Sequence, residues 1–188
     1  MYGMIPSMRA LIICGSRKGG FTSEMCRSFS EGLAVRGIPS DIVFPIEMDI
    51  KHCTGCNGCS ESRVCVISDD MAVFYDAFGR YDLLVLAAPI HFSGPSSAIK
   101  TVIDRFQPIW FKNAEHPAFA AALLSGGGPS PNYNNALSIF KAFSATAEMK
   151  WLGHLGISDT DGKGTSDVAD PSFEYGKEIG LMVLKDRK

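Results

Sequence analysis

Short apolar segments alternate with amphipathic segments along most of the chain. Apolar runs of strand length predict five buried β-strands, and these are Met8–Cys14, Ser40–Phe44, Asp82–Ala88, Pro117–Leu124 and Trp151–Ile157. Between them, apolar residues with helical spacing predict helices, as Met25, Phe29 and Leu33 do. The predicted helices are Phe21–Val35, Ser68–Phe78, Pro95–Phe106, Ala136–Met149 and a last helix that opens at Asp170-Pro171.

Strands that alternate with helices of this length predict a parallel sheet with helices on both faces. Five such units predict one α/β domain over residues 1–188, a doubly wound five-stranded parallel sheet with the flavodoxin-like order 2-1-3-4-5. In this fold, ligands bind where the carboxyl ends of the strands diverge. The first residues, Met1 to Ser7, precede the first strand and are expected to form a loose arm.

Composition narrows the function classes. The chain has 188 residues, of which 46% are hydrophobic and 20% charged, and its net charge is −2. Without a basic stripe, nucleic acid is not expected as the main partner. No apolar stretch is long enough to span a membrane, and the start of the chain lacks the apolar region of a signal peptide, so we expect a cytoplasmic protein.

The longest irregular segment, residues 45–67, carries four cysteines within thirteen positions. They are Cys53, Cys56, Cys59 and Cys65, separated by two, two and five residues. Two Cys-x-x-Cys steps that share a cysteine suit a cubane cluster, for which four cysteine ligands are the rule. The fourth cysteine follows closely enough to complete the same site. The sequence therefore favours a cysteine-rich loop, inserted after the second strand, that binds an iron–sulfur cluster.

Two other interpretations of this loop stay open. Structural zinc usually takes two Cys-x-x-Cys pairs that a longer loop separates, and this chain has no such separation. A redox or disulfide loop is the second alternative, although six cysteines in 188 residues is not a dense disulfide framework. The remaining two cysteines, Cys14 and Cys26, fall on a strand and a helix and are expected to act as small buried apolar residues.

The loop after the first strand is rich in glycine and hydroxyl groups. Glycines allow unusual backbone angles there, so that N–H groups and hydroxyls face an anion at the start of the helix. Arg17 occupies the place of the second glycine of a dinucleotide fingerprint, and Phe21 that of the lysine of a nucleotide-triphosphate loop. A monophosphate such as that of FMN remains the best candidate ligand, with a plain turn as the alternative.

Two further loops are expected to meet the first at the same edge of the sheet. The loop after the third strand combines an aromatic residue, a histidine and hydroxyls, a mixture that suits a flat ring with polar edges. The loop after the fourth strand contains three consecutive glycines, Gly126 to Gly128. By contrast, Asp159–Asp170 only partly matches a calcium-binding loop and is interpreted as a solvated surface loop.

These motifs together resemble the iron–sulfur flavoproteins, which belong to the wider NADPH-dependent FMN reductase group of flavodoxin-like proteins. The resemblance rests on the Gly-Ser-Arg-x-x-Gly loop, the cysteine run, Asp69-Asp70-Met71, and Pro89-x-x-x-Ser93-Gly94 with Lys100 and Asp104-Arg105. It is strongest from Met8 to Phe106. The cysteine run is its specific part, because many relatives share the flavin loops and lack a cluster.

The resemblance implies one FMN and one 4Fe–4S cluster per subunit, a cluster that aerobic preparations can lose. It implies cluster ligation by the four loop cysteines. It also implies FMN contacts from three loops: Ser16, Arg17, Gly20, Phe21 and Thr22; Pro89, Ile90, His91, Phe92 and Ser93; and Ser125, Gly126, Gly127 and Gly128. The chain departs from the family at His91, where tyrosine is common, and at Phe21, where asparagine is common.

The function that the resemblance implies is that of an FMN-dependent oxidoreductase that passes electrons between the cluster and FMN. The expected partners are ferredoxin or another small redox carrier and a second copy of the chain, as a homodimer or a dimer of dimers. No general acid or base is required. One alternative is an NAD(P)H-dependent FMN or quinone reductase whose cysteine loop is empty or structural. Another is a non-enzymatic flavin or zinc redox-sensing module. Lys100, Asp104 and Arg105 are interpreted as an ion pair on a helix surface.

Overall fold

The computed structural model describes residues 8–111 and 115–186, so the expected arm at Met1 to Ser7 lies outside the described residues. Within these residues, six strands and six α-helices follow one another: β1 (Ala10–Cys14), α1 (Phe21–Val35), β2 (Ser40–Val43), α2 (Gly58–Ser62), α3 (Met71–Ala77), β3 (Leu83–His91), β4 (Gly94–Pro95), α4 (Ser97–Arg105), β5 (Phe119–Ser125), α5 (Asn134–Thr146), β6 (Lys150–Ile157) and α6 (Ala169–Asp186).

Five of the strands form a parallel sheet in the order β2-β1-β3-β5-β6. The two-residue strand β4 pairs antiparallel with the end of β3 and lies outside this series. The order of the five parallel strands is the predicted 2-1-3-4-5, and the flavodoxin-like fold is confirmed. The carboxyl ends of β1, β3 and β5 are therefore neighbours at one edge of the sheet.

The alternation of side chains along the central strands separates two apolar cores. Along β1, Leu11 and Ile13 face a core that α3, α4 and α5 cover. Ala10, Ile12 and Cys14 face the opposite core, which α1 and α6 cover. Both faces of the strand are buried, which explains why β1 reads as one continuous apolar run.

Helices α1 and α6 approach each other closely through glycines. A Cβ atom added to Gly32 would overlap the carbonyl oxygen of Phe173 and touch Gly176, and one added to Gly176 would overlap the carbonyl oxygen of Phe29. Because neither glycine carries a side chain, the two helix backbones lie in direct contact. This contact holds the C-terminal helix against the face of the sheet.

The structure differs from the sequence prediction at two places that matter for the function. The third strand continues to His91, three residues beyond its predicted end, and then turns back as a hairpin at Phe92 and Ser93. The cysteine segment, predicted as irregular, contains the short helix α2 after a left-handed Asn57. No helix within residues 8–111 and 115–186 is long and apolar enough to cross a membrane.

We predict that Gly32→Ala destabilises the protein, although alanine favours an exposed helix interior by about 1 kcal/mol over glycine. The added methyl group forces α1 and α6 apart, and overpacking of this kind costs about 1–3 kcal/mol. Denaturant unfolding measures the difference. Val35→Ala, at an exposed position of the same helix, is the control and is expected to change stability by less than about 0.5 kcal/mol. A Gly32→Ala protein as stable as the wild type would contradict the direct helix contact.

Candidate cofactor sites

Most of the predicted site residues line two cavities, one of about 360 Å³ and one of about 600 Å³. The larger lies at the carboxyl edge of the sheet, where the loops after β1, β3 and β5 meet as the topology requires. Its walls include most of the predicted FMN residues, namely Ser16, Arg17, Gly20, Phe21, Thr22, Pro89, Ile90, His91, Ser125 and Gly127.

The start of α1 faces this larger cavity with its backbone free. The helix begins after Gly20, and no side chain of the described residues caps its first turn. Thr22 and Ser23, the hydroxyl residues at the start of the helix, make other contacts. The Thr22 hydroxyl lies 2.7 Å from that of Ser125, and Ser23 accepts a hydrogen bond from the N–H of Gly19. First-turn N–H groups without a cap are a suitable site for a phosphate.

Two hydrogen bonds position the loops around the cavity. The first is the Thr22–Ser125 contact, which ties α1 to the end of β5. In the second, the hydroxyl of Ser96, just before α4, donates to the carbonyl of Gly15 at 2.6 Å. A Cβ on Gly15 would overlap that hydroxyl, so the close approach of α4 to β1 requires glycine there.

The glycine loop after β5 is held by the loop after β6. The N–H groups of Thr160 and Asp161 donate to the carbonyls of Gly126 and Gly127, both at 3.1 Å. Thr160 is buried, and Thr160 and Asp161 line the larger cavity with Ile46, Ser97 and Ala98. The interpretation of Asp159–Asp170 as a solvated surface loop was therefore wrong for Thr160, although Asp159 and Asp161 are exposed. The order of the strands was the available signal, since the end of β6 lies beside that of β5.

Four of the predicted FMN residues contribute to the shape of the site without lining its wall. Phe92 and Ser93 form the tip of the β3–β4 hairpin with positive φ angles of 49° and 64°, and Phe92 is fully exposed. Gly126 donates its N–H to the carbonyl of Ile157 and lies behind the wall. Gly128 accepts a hydrogen bond from the N–H of Asp159.

The cysteine loop reverses direction at three residues with left-handed backbone angles. These are Gly55, Asn57 and Arg63, with φ angles of 66°, 59° and 61°. The turns lie between or beside the cysteines. As a result, Cys53, Cys56, Cys59 and Cys65 all line the smaller cavity, the one of about 360 Å³.

The four thiols of the loop are free and influence one another. Burial raises the pKa of Cys59, and the nearby Cys65, Cys53 and Cys56 raise it further. A hydrogen bond from the backbone of Gly58, followed by one from Thr54, lowers the pKa of Cys56. In the described ranges, no three His, Cys, Asp or Glu side chains converge closely enough to hold one metal ion. The four sulfurs line one cavity of about 360 Å³, and four cysteine sulfurs are the donor set of an iron–sulfur cluster.

A buried ion pair holds the two ends of the cysteine loop together. The guanidinium of Arg105, at the end of α4, forms a fork with the carboxylate of Asp69. It also donates to the carbonyl oxygens of Lys51 at 2.7 Å and Ile67 at 3.3 Å. Asp69 in turn accepts the N–H of Lys51 at 2.9 Å. Lys51 precedes the first cysteine and Ile67 follows the last, so one arginine contacts both ends of the segment.

The placement of Arg105 corrects the sequence interpretation of a surface ion pair. Lys100 and Asp104 do form such a pair on the exposed side of α4, with side chains 41% and 43% exposed. Arg105 takes no part in it, and the side chains of Arg105 and Asp69 are 1% and 0% exposed. The sequence signal that was available is the helical period, which turns residue 105 away from residues 100 and 104.

The pKa values of the side chains around the buried ion pair are shifted from their ordinary values. The guanidinium of Arg105 lowers the pKa of Asp69 to about 2, against the opposing effect of burial. Burial disfavours the charge on Arg105, but Asp69 and then Cys65 raise its pKa above the ordinary value. Burial and then the charge of Cys65 raise the pKa of Tyr75, whose hydroxyl donates to the carbonyl of Arg105. Cys65 therefore lies beside both side chains.

Helix α4 connects the two cavities. Ser97, its first residue, lines the larger cavity, and Arg105, its last residue, lines the cysteine cavity. The helix rises 1.5 Å per residue, so these two Cα atoms are about 12 Å apart. The two cavities are therefore neighbours within one chain.

Comparison with known proteins identifies the family. A family model for NADPH-dependent FMN reductases matches residues 8–157. The chain belongs to this family. It is therefore a flavin-dependent oxidoreductase, as the resemblance implied.

Relatives that are named iron–sulfur flavoproteins are also found. The chain is 30% identical over 188 residues to an iron–sulfur flavoprotein of Methanocaldococcus jannaschii, an alignment that covers 95% of this chain and 96% of that protein. It is 33% identical over 102 residues to an iron–sulfur flavoprotein of Archaeoglobus fulgidus, covering 54% of this chain and 46% of that one. The resemblance to iron–sulfur flavoproteins is confirmed.

Solved structures agree on the fold. A flavone reductase superposes with a TM-score of 0.74 at 16% identity, over 96% of this chain and 64% of that one. An NAD(P)H:quinone oxidoreductase from Methanothermobacter marburgensis superposes with a TM-score of 0.69 at 15% identity, over 93% of this chain and 96% of that one. At these identities the likeness concerns the fold alone.

We predict that Asp69→Asn lowers the free energy of unfolding at pH 7 by about 3–5 kcal/mol, the usual cost of removing one partner of a buried ion pair. The pKa of Asp69 is about 2 in the folded protein, against an ordinary 3.8. Its contribution is therefore complete above about pH 4 and declines as the pH falls toward 2. Denaturant unfolding at several pH values should show that the difference in unfolding free energy between wild type and variant becomes smaller in acid.

The control for this substitution is Asp104→Asn on the same helix as Arg105. Its carboxylate pairs with Lys100 in solvent, so the expected change is below about 0.5 kcal/mol. Equal losses of unfolding free energy in the two variants would contradict the buried pair. So would a difference between wild type and Asp69→Asn that does not depend on pH.

Proposed function

We propose that the larger cavity binds FMN, with the phosphate at the start of α1 and the flavin ring toward the end of β3. Uncapped backbone N–H groups and Arg17 supply donors and positive charge for the phosphate. Pro89, Ile90 and His91 offer an apolar surface with one polar side chain for the ring. The glycine loop after β5 allows backbone to approach the flavin. FMN supplies transfer of one or two electrons when bound.

We propose further that Cys53, Cys56, Cys59 and Cys65 ligate a 4Fe–4S cluster. The main support for this proposal is that all four cysteines line one cavity, and that the buried side chain of Arg105 lines the same cavity. A cluster supplies transfer of single electrons when bound. The protein holds the thiolates in place through the left-handed turns of the loop. It also directs the N–H of Gly58 toward the sulfur of Cys56, a contact of the kind that tunes cluster potentials.

The proposed activity is electron transfer between the two centres. Helix α4 reaches from one cavity to the other, with its end residues about 12 Å apart, so both centres would lie close together in one chain. One-electron and two-electron chemistry would then meet in one protein, with a ferredoxin or another small carrier on the cluster side. We also propose that the protein acts in the cytoplasm as a homodimer or a dimer of dimers.

A second candidate function is an NAD(P)H-dependent FMN or quinone reductase with an empty or structural cysteine loop. The match to the NADPH-dependent FMN reductase family favours it. In that case NAD(P)H would supply the electrons and the loop would not take part in turnover. A zinc-stabilised, non-enzymatic module is the least supported alternative, since the family is enzymatic.

We predict that Arg17→Gln weakens FMN binding about tenfold, which is about 1.4 kcal/mol. The loss is that of one charge-assisted hydrogen bond to the phosphate at a partly exposed site. Binding of riboflavin, which lacks the phosphate, should not change. Fluorescence titration of the apoprotein with both flavins measures the two constants.

Lys18→Gln is the matched control for Arg17. Lys18 is the neighbouring cation, but its amine pairs with Glu47 and does not line the cavity. Its removal should leave FMN affinity within about twofold, since exposed ion pairs contribute little. An Arg17→Gln protein that loses FMN and riboflavin equally would place the phosphate elsewhere.

We predict that Cys56→Ser abolishes iron uptake on anaerobic reconstitution and leaves the FMN content unchanged. Serine offers no soft ligand, and Cys56 is exposed, so the substitution should not disturb the fold. Iron, sulfide and flavin assays together measure the outcome. Cys26→Ala, at a buried cysteine outside the loop, should keep both cofactors.

The same variant separates the two candidate functions. Loss of electron transfer to a one-electron acceptor in Cys56→Ser would support the cluster as a working centre. Full NADPH-dependent quinone reduction without iron would instead favour the reductase. A wild-type protein that binds zinc and no iron would contradict the proposed cluster.

A further inference from the structure

One nitrogen of the buried arginine is without a partner in the described part of the chain. The two terminal nitrogens of Arg105 contact Asp69, Lys51 and Ile67, as described above. Its Nε atom is buried and makes no hydrogen bond. Native proteins rarely leave a buried N–H without an acceptor, so this donor indicates an acceptor that the described contacts do not supply.

The place where that acceptor would lie is the cysteine cavity. Arg105 forms part of its wall together with Cys53, Cys56, Cys59 and Cys65. Asp104 also lines this cavity, but both of its carboxylate oxygens accept hydrogen bonds from the amine of Lys100. Thiolate and sulfide sulfurs accept hydrogen bonds, and such bonds set the potential of a cluster.

We propose that Arg105 is a positioning residue for the cluster, with its terminal nitrogens fixing the two ends of the cysteine loop and its Nε–H donating to a sulfur in the cavity. This inference rests on the proposed cluster and goes beyond ligation by the four cysteines. In this proposal, Arg105 changes the reduction potential of the cluster without ligating iron.

The expected consequence concerns the redox equilibrium of the cluster. Reduction adds negative charge, and a buried guanidinium with an N–H directed at sulfur stabilises the reduced form more than the oxidised form. Arg105 should therefore raise the reduction potential of the cluster. The flavin, near the other end of α4, should be affected far less.

The first test compares Arg105→Lys with Arg63→Lys in anaerobically reconstituted protein. Lysine keeps the charge but has no Nε–H at the same place. Redox titration followed by electron paramagnetic resonance should show a cluster about tenfold harder to reduce in Arg105→Lys, which is about 59 mV lower for a one-electron couple. Arg63, exposed on the same loop, should give the wild-type potential.

The iron content of Arg105→Lys and Arg63→Lys is the second measurement in this comparison. An Arg105→Lys protein that keeps FMN but loses iron, while Arg63→Lys keeps both, would also support the positioning role. The same iron content and the same cluster potential in both variants would overturn it.

A second measurement uses the wild-type sequence and does not depend on how well Arg105→Lys folds. Protein labelled with ¹⁵N-arginine and reduced anaerobically is examined by pulsed electron paramagnetic resonance. We expect a ¹⁵N coupling to the cluster spin that persists in Arg63→Lys. A loaded cluster without arginine coupling overturns this inference alone, whereas wild-type protein that takes up no iron overturns the proposed function as well.

Discussion

The ion pair between Arg105 and Asp69 is the constraint on which the cysteine loop depends. A guanidinium and a carboxylate that are almost fully removed from water carry a desolvation cost of several kcal/mol per ion. The cost is offset because nearly every donor and acceptor of the pair has a partner, including backbone groups of Lys51 and Ile67 on either side of the loop. A loop with few apolar contacts of its own thereby acquires fixed ends, and four thiols face one cavity.

The flavin side of the molecule depends on a different constraint, the topology of the sheet. Parallel strands place the loops after β1, β3 and β5 at one edge, and hydrogen bonds such as Thr22–Ser125 and Ser96–Gly15 then fix their separation. Helix α4 runs from this edge of the sheet to the ion pair between Arg105 and Asp69. The two candidate cofactor sites are thus connected by one helix of nine residues.

Much of this arrangement could be predicted from local sequence. The apolar runs and helical spacing predicted the strand order correctly, because each element carries its own pattern. The cysteine spacing predicted one shared site, and the four cysteines do line one cavity. The limits were long-range contacts. Nothing near Arg105 in sequence indicates that its partner is Asp69, 36 residues earlier. Thr160 and Asp161 were likewise missed, since their role arises only when the loop after β6 meets the glycine loop.

The most direct test of the account is an anaerobic absorption spectrum of the reconstituted wild-type protein, together with counts of iron, sulfide and FMN. The account predicts a flavin spectrum superimposed on broad iron–sulfur absorption, with about four iron and four sulfide per FMN. Protein that binds FMN but keeps no iron or sulfide under these conditions would contradict the central claim.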